Sequence, residues 1–230
     1  MVRSSGSPDR ADNRAGDRAG DSAGPAVRSS RDGYAGLPVG AFLDALAAGS
    51  AAPAGGSAVA LVLAQAAALC AKTARLSARQ LTAERASSLT AEAEQARARA
   101  ASLIDDDALA YRAVLEQTRG RAGASGAAGE GGAGGRLAAA LSEAADVPLR
   151  MVELSVPVAR LAATLAAGGN PALRGDAVTA GLLAQASARA AAELVTINLA
   201  GMPDDPRHAR AADLLAAIAE VLAGPFGRAT

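Results

Sequence analysis

Aromatic residues, cysteine and histidine are all scarce in this sequence of 230 residues. Tryptophan is absent and only 2% of the residues are aromatic, although half are hydrophobic. The single cysteine, Cys70, excludes an internal disulfide framework, and the single histidine, His208, excludes a site with several histidine ligands. We therefore expect no metal site, and we place Cys70 in the core and His208 on the surface.

The sequence also lacks an excess of either charge, because Lys+Arg and Asp+Glu both number 23. Proteins that bind nucleic acids or membrane surfaces usually carry a basic excess, so we expect neither partner. No uninterrupted apolar run of about 20 residues indicates a membrane-spanning helix, and the first residues lack the apolar stretch of a secretory signal. The expected location is the cytoplasm.

The apolar residues that are present, mostly alanine, leucine and valine, favour helix. An alanine-rich core is thin for each residue, so the sequence predicts an all-α multi-helix bundle that forms a homodimer. No segment alternates with a period of two, and we expect no sheet. Caps, prolines and glycines predict helices over about 38–48, 58–78, 82–118, 136–145, 148–168, 171–200 and 206–223, with a break near Ser102 and kinks at Pro148 and Pro157.

Two segments have the composition of irregular structure. Residues 1–36 are rich in Arg, Asp, Gly and Ser, and we expect a disordered tail before a folded domain at residues 37–230. Residues 120–135 are rich in Gly and contain no apolar residue larger than Ala, which predicts a mobile loop inside the domain.

A glycine-rich turn, Pro53–Ser57, precedes the most apolar predicted helix. Gly55 and Gly56 allow a ligand to approach the backbone, and the N–H groups at a helix N-terminus can bind an anion. The same residues also suit an ordinary loop that ends in Ser57 as a helix N-cap.

Ser57, Gln65 and Lys72 fall within roughly 80° of one another on the helix that follows this turn. Lys72 is the only lysine in the sequence. A desolvated lysine changes its pKa readily and can take part in catalysis, whereas a lysine at a helix edge can simply extend to solvent. Both interpretations remain open at this point.

Three consecutive aspartates, Asp105–Asp107, lie in the third long helix. The helical period puts Asp107 on the same face as Leu103 and Tyr111, and it directs Asp105 towards Arg112. A carboxylate on an apolar face must be paired or have a raised pKa, which suits a general acid or base. Asp105 and Asp106 are typical of a solvated surface.

Polar residues also recur along the helix after Gly169. Asn170 is a candidate cap, since Pro171 follows it. Asp176, Ser187 and Asn198 fall within roughly 40° on one face, which suggests a polar groove.

Taken in order, these segments resemble the cyclodeaminase/cyclohydrolase family. That family includes the C-terminal domain of formimidoyltransferase-cyclodeaminase and the methenyltetrahydrofolate cyclohydrolases. The segments that carry the resemblance are the opening helix Leu37–Leu46, Pro53-Ala54-Gly55-Gly56-Ser57, Leu103–Tyr111 with Asp107 as the matching aspartate, Val147-Pro148-Leu149, Asn170 through Asp176, and Ile197-Asn198-Leu199.

The resemblance implies a dimeric all-α enzyme with a groove near the dimer interface. The implied substrate is a tetrahydrofolate derivative, and the reaction is either cyclodeamination of the 5-formimidoyl compound or hydrolysis of the methenyl compound, without a metal or redox cofactor. Asp107 would move a proton or anchor the amidine. Lys72 is added as a catalytic candidate and partner of Asp107 because it is the only lysine and lies on the polar side of its helix, not because of the resemblance. The substrate-binding residues in matching motifs are Gly55, Gly56, Ser57, Asn170, Asp176 and Asn198. Gln65 is added as a substrate-binding candidate because it lies on the same helix side as Ser57 and Lys72.

The sequence departs from the family at several points. Gly175 replaces the serine before Asp176, Lys72 stands where the family usually has an apolar residue, and the basic residues after the central helix are reduced to Arg79 and Arg85. A loop differs as well. The family usually has Leu-Pro-Lys after the helix that carries the aspartate, and residues 120–135 replace it here. The alternative is therefore a non-catalytic helical dimer that keeps the family fold but has lost the folate loop.

Overall fold

A computed structural model describes residues 33–122 and 127–226 of the chain. Within these ranges the secondary structure is helical, without strands, and the predicted all-α fold is confirmed. The α-helices are α1 (Val39–Ala47), α2 (Gly55–Arg75), α3 (Ala83–Ala122), α4 (Ala127–Gly168), α5 (Arg174–Asn198) and α6 (Pro206–Phe226), and a single 3-10 turn, Pro171–Leu173, precedes α5.

Several predicted helix boundaries are wrong. Helix α2 begins at Gly55, so Ser57 lies inside the helix, fully buried, and is not its N-cap. Helix α3 continues through Ser102, whose hydroxyl donates to a carbonyl within the same helix. Helix α4 also continues through Pro148 and Pro157. Packing on both sides of these helices outweighs the local breaking signals.

The predicted loop at residues 120–135 is mostly helical in the structure. Helix α3 extends to Ala122 and α4 begins at Ala127, while residues 123–126 lie outside the described part. Alanine favours helix strongly, which offsets the cost of the interspersed glycines. The mobility of this stretch stays a prediction.

The predicted tail overlaps the fold at its last residues. Residues 1–32 lie outside the described ranges, but Gly33–Gly36 form a turn in which the Leu37 N–H donates to the Tyr34 carbonyl at 3.2 Å. The described domain therefore begins before the predicted residue 37.

Helix α2 occupies the centre of the bundle, between α3 and α5. Arg75 near its end contacts Glu94 of α3, and Lys72 contacts Asp176 at the start of α5, so α2 runs antiparallel to both helices. The core is dominated by alanine and leucine, as predicted, and it includes the fully buried Cys70. Burial raises the pKa of the Cys70 thiol to about 12, which fits a packing role.

Two core helices, Gly55–Arg75 and part of α4 (Gly132–Gly168), are long and apolar enough to cross a membrane by length and composition alone. Slightly more than half of each apolar window, 56%, is buried inside the bundle, and buried core helices of water-soluble proteins meet the same criterion. The absence of a membrane partner stays a prediction.

Candidate active site

Asp107 of α3 lies directly against the first turn of α2. A methyl group at Gly56 would collide with the Asp107 carboxylate, so any larger residue at this position would displace that carboxylate. At Gly55, no other helix or loop of the described structure comes within 4 Å of the equivalent point. The absence of a side chain at Gly56 allows α2 and α3 to pack closely at this point.

Ser57 holds the Asp107 carboxylate from the next position of α2. Its hydroxyl lies 3.0 Å from Asp107 Oδ2 and 2.9 Å from the carbonyl oxygen of Ile104. The pKa of Asp107 is raised above its usual value because burial disfavours the charged form, and hydrogen bonds from the Ser57 side chain and backbone partly offset the rise. A carboxyl group with a raised pKa suits proton transfer near neutral pH.

A cleft of about 260 Å³ opens beside this contact. Gly55, Gly56 and Asp107 line it on one side, and Asn198, the last residue of α5, lines it as well. The Asn198 side chain is half-buried, and its amide has no hydrogen-bond partner among the described residues. The remaining walls are mainly apolar, and they include Ala110, Tyr111, Val114, Pro148, Leu194 and Ile197.

The cleft therefore combines the polar side chains of Asp107 and Asn198 with mainly apolar walls. Tyr111 and Ile197 are 40% and 64% exposed, so these walls are accessible from solvent. Clefts of this kind, mostly apolar with a few placed polar groups, are typical of small-molecule sites.

Tyr34 bonds to the loop that leads into this turn and to helix α3, a role that its neighbours in sequence do not predict. Its backbone N–H donates to Asp105 at 2.6 Å, and its hydroxyl donates to the Ala52 carbonyl at 2.9 Å. Arg112 donates to the same hydroxyl at 2.6 Å. Asp105 is thus a structural acceptor, and its predicted placement on a solvated surface is wrong.

Lys72 does not lie near Asp107, so their predicted pairing is wrong. The Lys72 ammonium pairs with Asp176 at 2.7 Å, and both side chains are partly exposed. Seventeen residues of helix separate Lys72 from Gly55, which amounts to about 25 Å. Lys72 and Asp176 therefore belong to the opposite end of the bundle.

Asn170 lies at this opposite end and acts as a cap, one of its two predicted roles. Its side-chain oxygen accepts from the Ala172 N–H at 3.1 Å, and its amide donates to the Leu76 carbonyl at 3.1 Å. Its own N–H donates to Ser77 at 2.9 Å. The bonds to Leu76 and Ser77 connect the end of α2 to the segment that leads into α5.

The predicted groove along α5 does not exist as a single surface. Asp176 and Asn198 lie at opposite ends of a helix of 25 residues, and Ser187 between them is buried and donates to the Val59 carbonyl at 2.9 Å. Gln65 is exposed near the middle of α2, outside the cleft. The predicted site residues that line the cleft are Gly55, Gly56, Asp107 and Asn198, with Ser57 bonded to Asp107.

The described residues contain no group of three or more His, Cys, Asp or Glu side chains placed to hold a metal ion. Proton transfer by Asp107, with binding through Asn198 and the helix N-terminus, is the chemistry that this arrangement offers.

Comparisons with known proteins cover most of the domain. A family model described as formiminotransferase-cyclodeaminase matches residues 38–217. A crystal structure of formiminotetrahydrofolate cyclodeaminase from Thermotoga maritima has a similar fold, with a TM-score of 0.65 and 24% sequence identity over 82% of this chain and 96% of that chain. A search of curated protein sequences gave no match.

Proposed function

Because this chain belongs to the formiminotransferase-cyclodeaminase family, we propose that it is an enzyme that converts 5-formimidoyltetrahydrofolate to 5,10-methenyltetrahydrofolate with release of ammonia. The observation that supports this proposal is the position of the Asp107 carboxylate. It contacts Gly56 at the N-terminus of α2, is hydrogen-bonded to Ser57, and lines a cleft with mainly apolar walls.

The reaction needs one proton to move between two nitrogen atoms of the substrate. The N10 nitrogen attacks the carbon of the protonated formimidoyl group. This addition forms the N10–C bond and converts the C=N double bond to a single bond. The N10 proton must then reach the former imine nitrogen, which leaves as ammonia when its bond to carbon breaks. The electron pairs of the two ring nitrogens stabilise the methenyl cation that remains.

Asp107 can carry this proton alone. Its carboxylate takes the proton from N10 as a base and returns it to the leaving nitrogen as an acid, so the group ends in its starting state. The raised pKa of Asp107 shortens the gap between its pKa and neutral pH, which favours both steps. The Asn198 amide and the N–H groups at the start of α2 are placed to orient the substrate.

The test is an assay of the purified full chain with 5-formimidoyltetrahydrofolate, in which the methenyl product and ammonia are measured separately. We expect the two products in equal amounts. Hydrolysis of added methenyltetrahydrofolate without any deamination would instead identify a cyclohydrolase. The absence of turnover with both compounds would contradict the proposal and favour the non-catalytic helical dimer.

We also propose that the chain forms a homodimer. Val39 and Leu43 on α1 are 64% and 53% exposed, although Phe42 of the same helix is buried. Ile197 at the cleft is also 64% exposed. Apolar side chains left open in this way suit an interface between copies. A light-scattering mass equal to that of the monomer at micromolar concentration would contradict the dimer.

A further inference from the structure

Helix α4 contains two internal prolines, Pro148 and Pro157. Proline has no N–H, so it cannot bond to the carbonyl four residues earlier in a helix, and its ring pushes that carbonyl aside. The carbonyls that lose their usual partner are those of Ala144 and Glu153. Each of them needs a hydrogen-bond donor from elsewhere.

The two freed carbonyls have different surroundings. Pro157 and Glu153 are exposed, so water can bond to the carbonyl of Glu153. Ala144 is only 6% exposed and Pro148 is almost completely buried, yet both of them line the cleft beside Asp107. A helical carbonyl points along the axis towards the residue four positions later, so the Ala144 carbonyl that loses its partner faces Pro148 on the side of α4 where both residues line the cleft.

We propose that the Ala144 carbonyl is a substrate-binding group, which accepts a hydrogen bond from a ring N–H of the ligand. Asp107 on α3 and Asn198 on α5 supply the other polar groups of the cleft, and its apolar walls suit a flat heterocycle. The ligand class is thus a planar nitrogen heterocycle with N–H donors at its edge. This inference rests on the proposed function, in which that ring is the pterin of the substrate.

The role of Pro148 follows from this contact. Pro148 prevents α4 from using the Ala144 carbonyl internally and keeps it available for the ligand. Pro148→Ala restores an N–H at this position, so the carbonyl becomes occupied within the helix. The variant should bind the ligand more weakly although its helix gains a bond.

The experiment measures the Kd of 5-formyltetrahydrofolate, a probe that carries the pterin ring, with Pro148→Ala and the matched variant Pro157→Ala. Both variants restore one helix bond, but only the first lies at the cleft. We expect Pro148→Ala to weaken binding about 3- to 10-fold, the usual range for one neutral hydrogen bond, and Pro157→Ala to bind as wild type. Equal Kd values for the two variants would overturn the inference.

Pro148→Val separates the hydrogen bond from the loss of ring volume, since valine restores the N–H and keeps comparable bulk. Weak binding by both position-148 variants, with melting temperatures at or above wild type, supports the acceptor role. Wild-type binding by Pro148→Val would assign the effect to shape and overturn the inference. In the assay of turnover, we expect KM to rise with little change in kcat, because the contact is present in the bound substrate as well as in the transition state.

The same titration distinguishes the two proposals. If the wild-type chain fails to bind the probe, the proposed function fails and the inference fails with it. If the wild type binds the probe and both position-148 variants bind it as tightly as the wild type, the proposed function stands and only the role of Ala144 is rejected.

Discussion

The Asp107 carboxylate occupies the space that a side chain at Gly56 would require. The neighbouring Gly55 has open space at the corresponding point. Two adjacent glycines in one turn therefore have different structural requirements.

This difference predicts opposite effects of the same substitution. Gly56→Ala should lower the free energy of unfolding by about 2 kcal/mol, because its methyl group overlaps the Asp107 carboxylate. Gly55→Ala should leave stability unchanged or raise it by about 0.5 kcal/mol, since alanine favours helix more than glycine. Urea unfolding of both variants measures this, and equal destabilisation by the two would show that the contact is misplaced.

Ser57 should control the pH dependence of turnover. Asp107 must be ionised to accept a proton, so activity should fall as the pH drops through its pKa. The hydrogen bonds from Ser57 lower that pKa, and Ser57→Ala removes the hydroxyl bond. The acidic limb of the kcat profile should therefore move to higher pH.

Ser187→Ala is the matched control for this shift. Ser187 is also a buried serine that donates to a carbonyl across a helix interface at 2.9 Å, but it does not contact Asp107. Its acidic limb should coincide with that of the wild type. An unmoved limb in Ser57→Ala would argue that Asp107 is not the titrating group.

Arg207 should be the main polar contributor to stability between α4 and α6. Its guanidinium donates to Asp205, Asp146 and both oxygen atoms of Ser142, at 2.7 to 2.9 Å. Lysine cannot reproduce this planar set of donors. We expect Arg207→Lys to lower the melting temperature by about 5 °C.

Arg210→Lys is the control, because among the described residues Arg210 pairs with Glu153 alone, at 3.4 Å and exposed to solvent. Its melting temperature should match that of the wild type, as is usual for surface ion pairs. The Arg207 bonds also lower the pKa of Asp205 to about 2. The stability that the ionised Asp205 contributes through these bonds is therefore present at neutral pH, and it should be lost as the pH falls from about 4 to 2. An equal loss of stability in both variants would contradict the special role of Arg207.

Tyr34 should stabilise the domain through its hydroxyl, which bonds to Ala52 and Arg112. Tyr34→Phe should cost about 1 kcal/mol of unfolding free energy. Tyr111→Phe makes the same chemical change at a hydroxyl without a hydrogen-bond partner among the described residues, and its stability should stay within about 0.5 kcal/mol of wild type. Identical stabilities would mean that the Tyr34 contacts are not formed in solution.

The helical fold could be predicted from sequence because caps and apolar spacing are local features. The pairing of distant residues could not. Lys72 and Ser57 share a helix face by angle, but the rise along the helix axis puts them at different ends of the bundle. The antiparallel packing of α2 against α5 then brings Lys72 to Asp176.

The hydrogen bonds of Tyr34 were not predicted from the sequence for a related reason. Its neighbours in sequence are polar and glycine-rich, so composition assigned it to the tail. The signal that could have identified it is its rarity, since it is one of only two tyrosines and aromatic side chains usually find a packing partner.

Proton transfer by Asp107 is tested most directly by comparing the turnover of Asp107→Asn with that of Asp106→Asn. Asp106 is a neighbouring aspartate in an exposed pair with Arg150, so its variant controls for the loss of charge. Asparagine at position 107 keeps the volume but cannot transfer the proton. Burial disfavours the ionised form of Asp107. Replacing this carboxylate with the neutral amide in Asp107→Asn should therefore leave the melting temperature at neutral pH unchanged or higher.

We expect Asp107→Asn to lower the rate of methenyltetrahydrofolate formation by about 10²- to 10⁴-fold in a folded protein, while Asp106→Asn keeps nearly the wild-type rate. Near-wild-type rates in both variants would contradict proton transfer by Asp107.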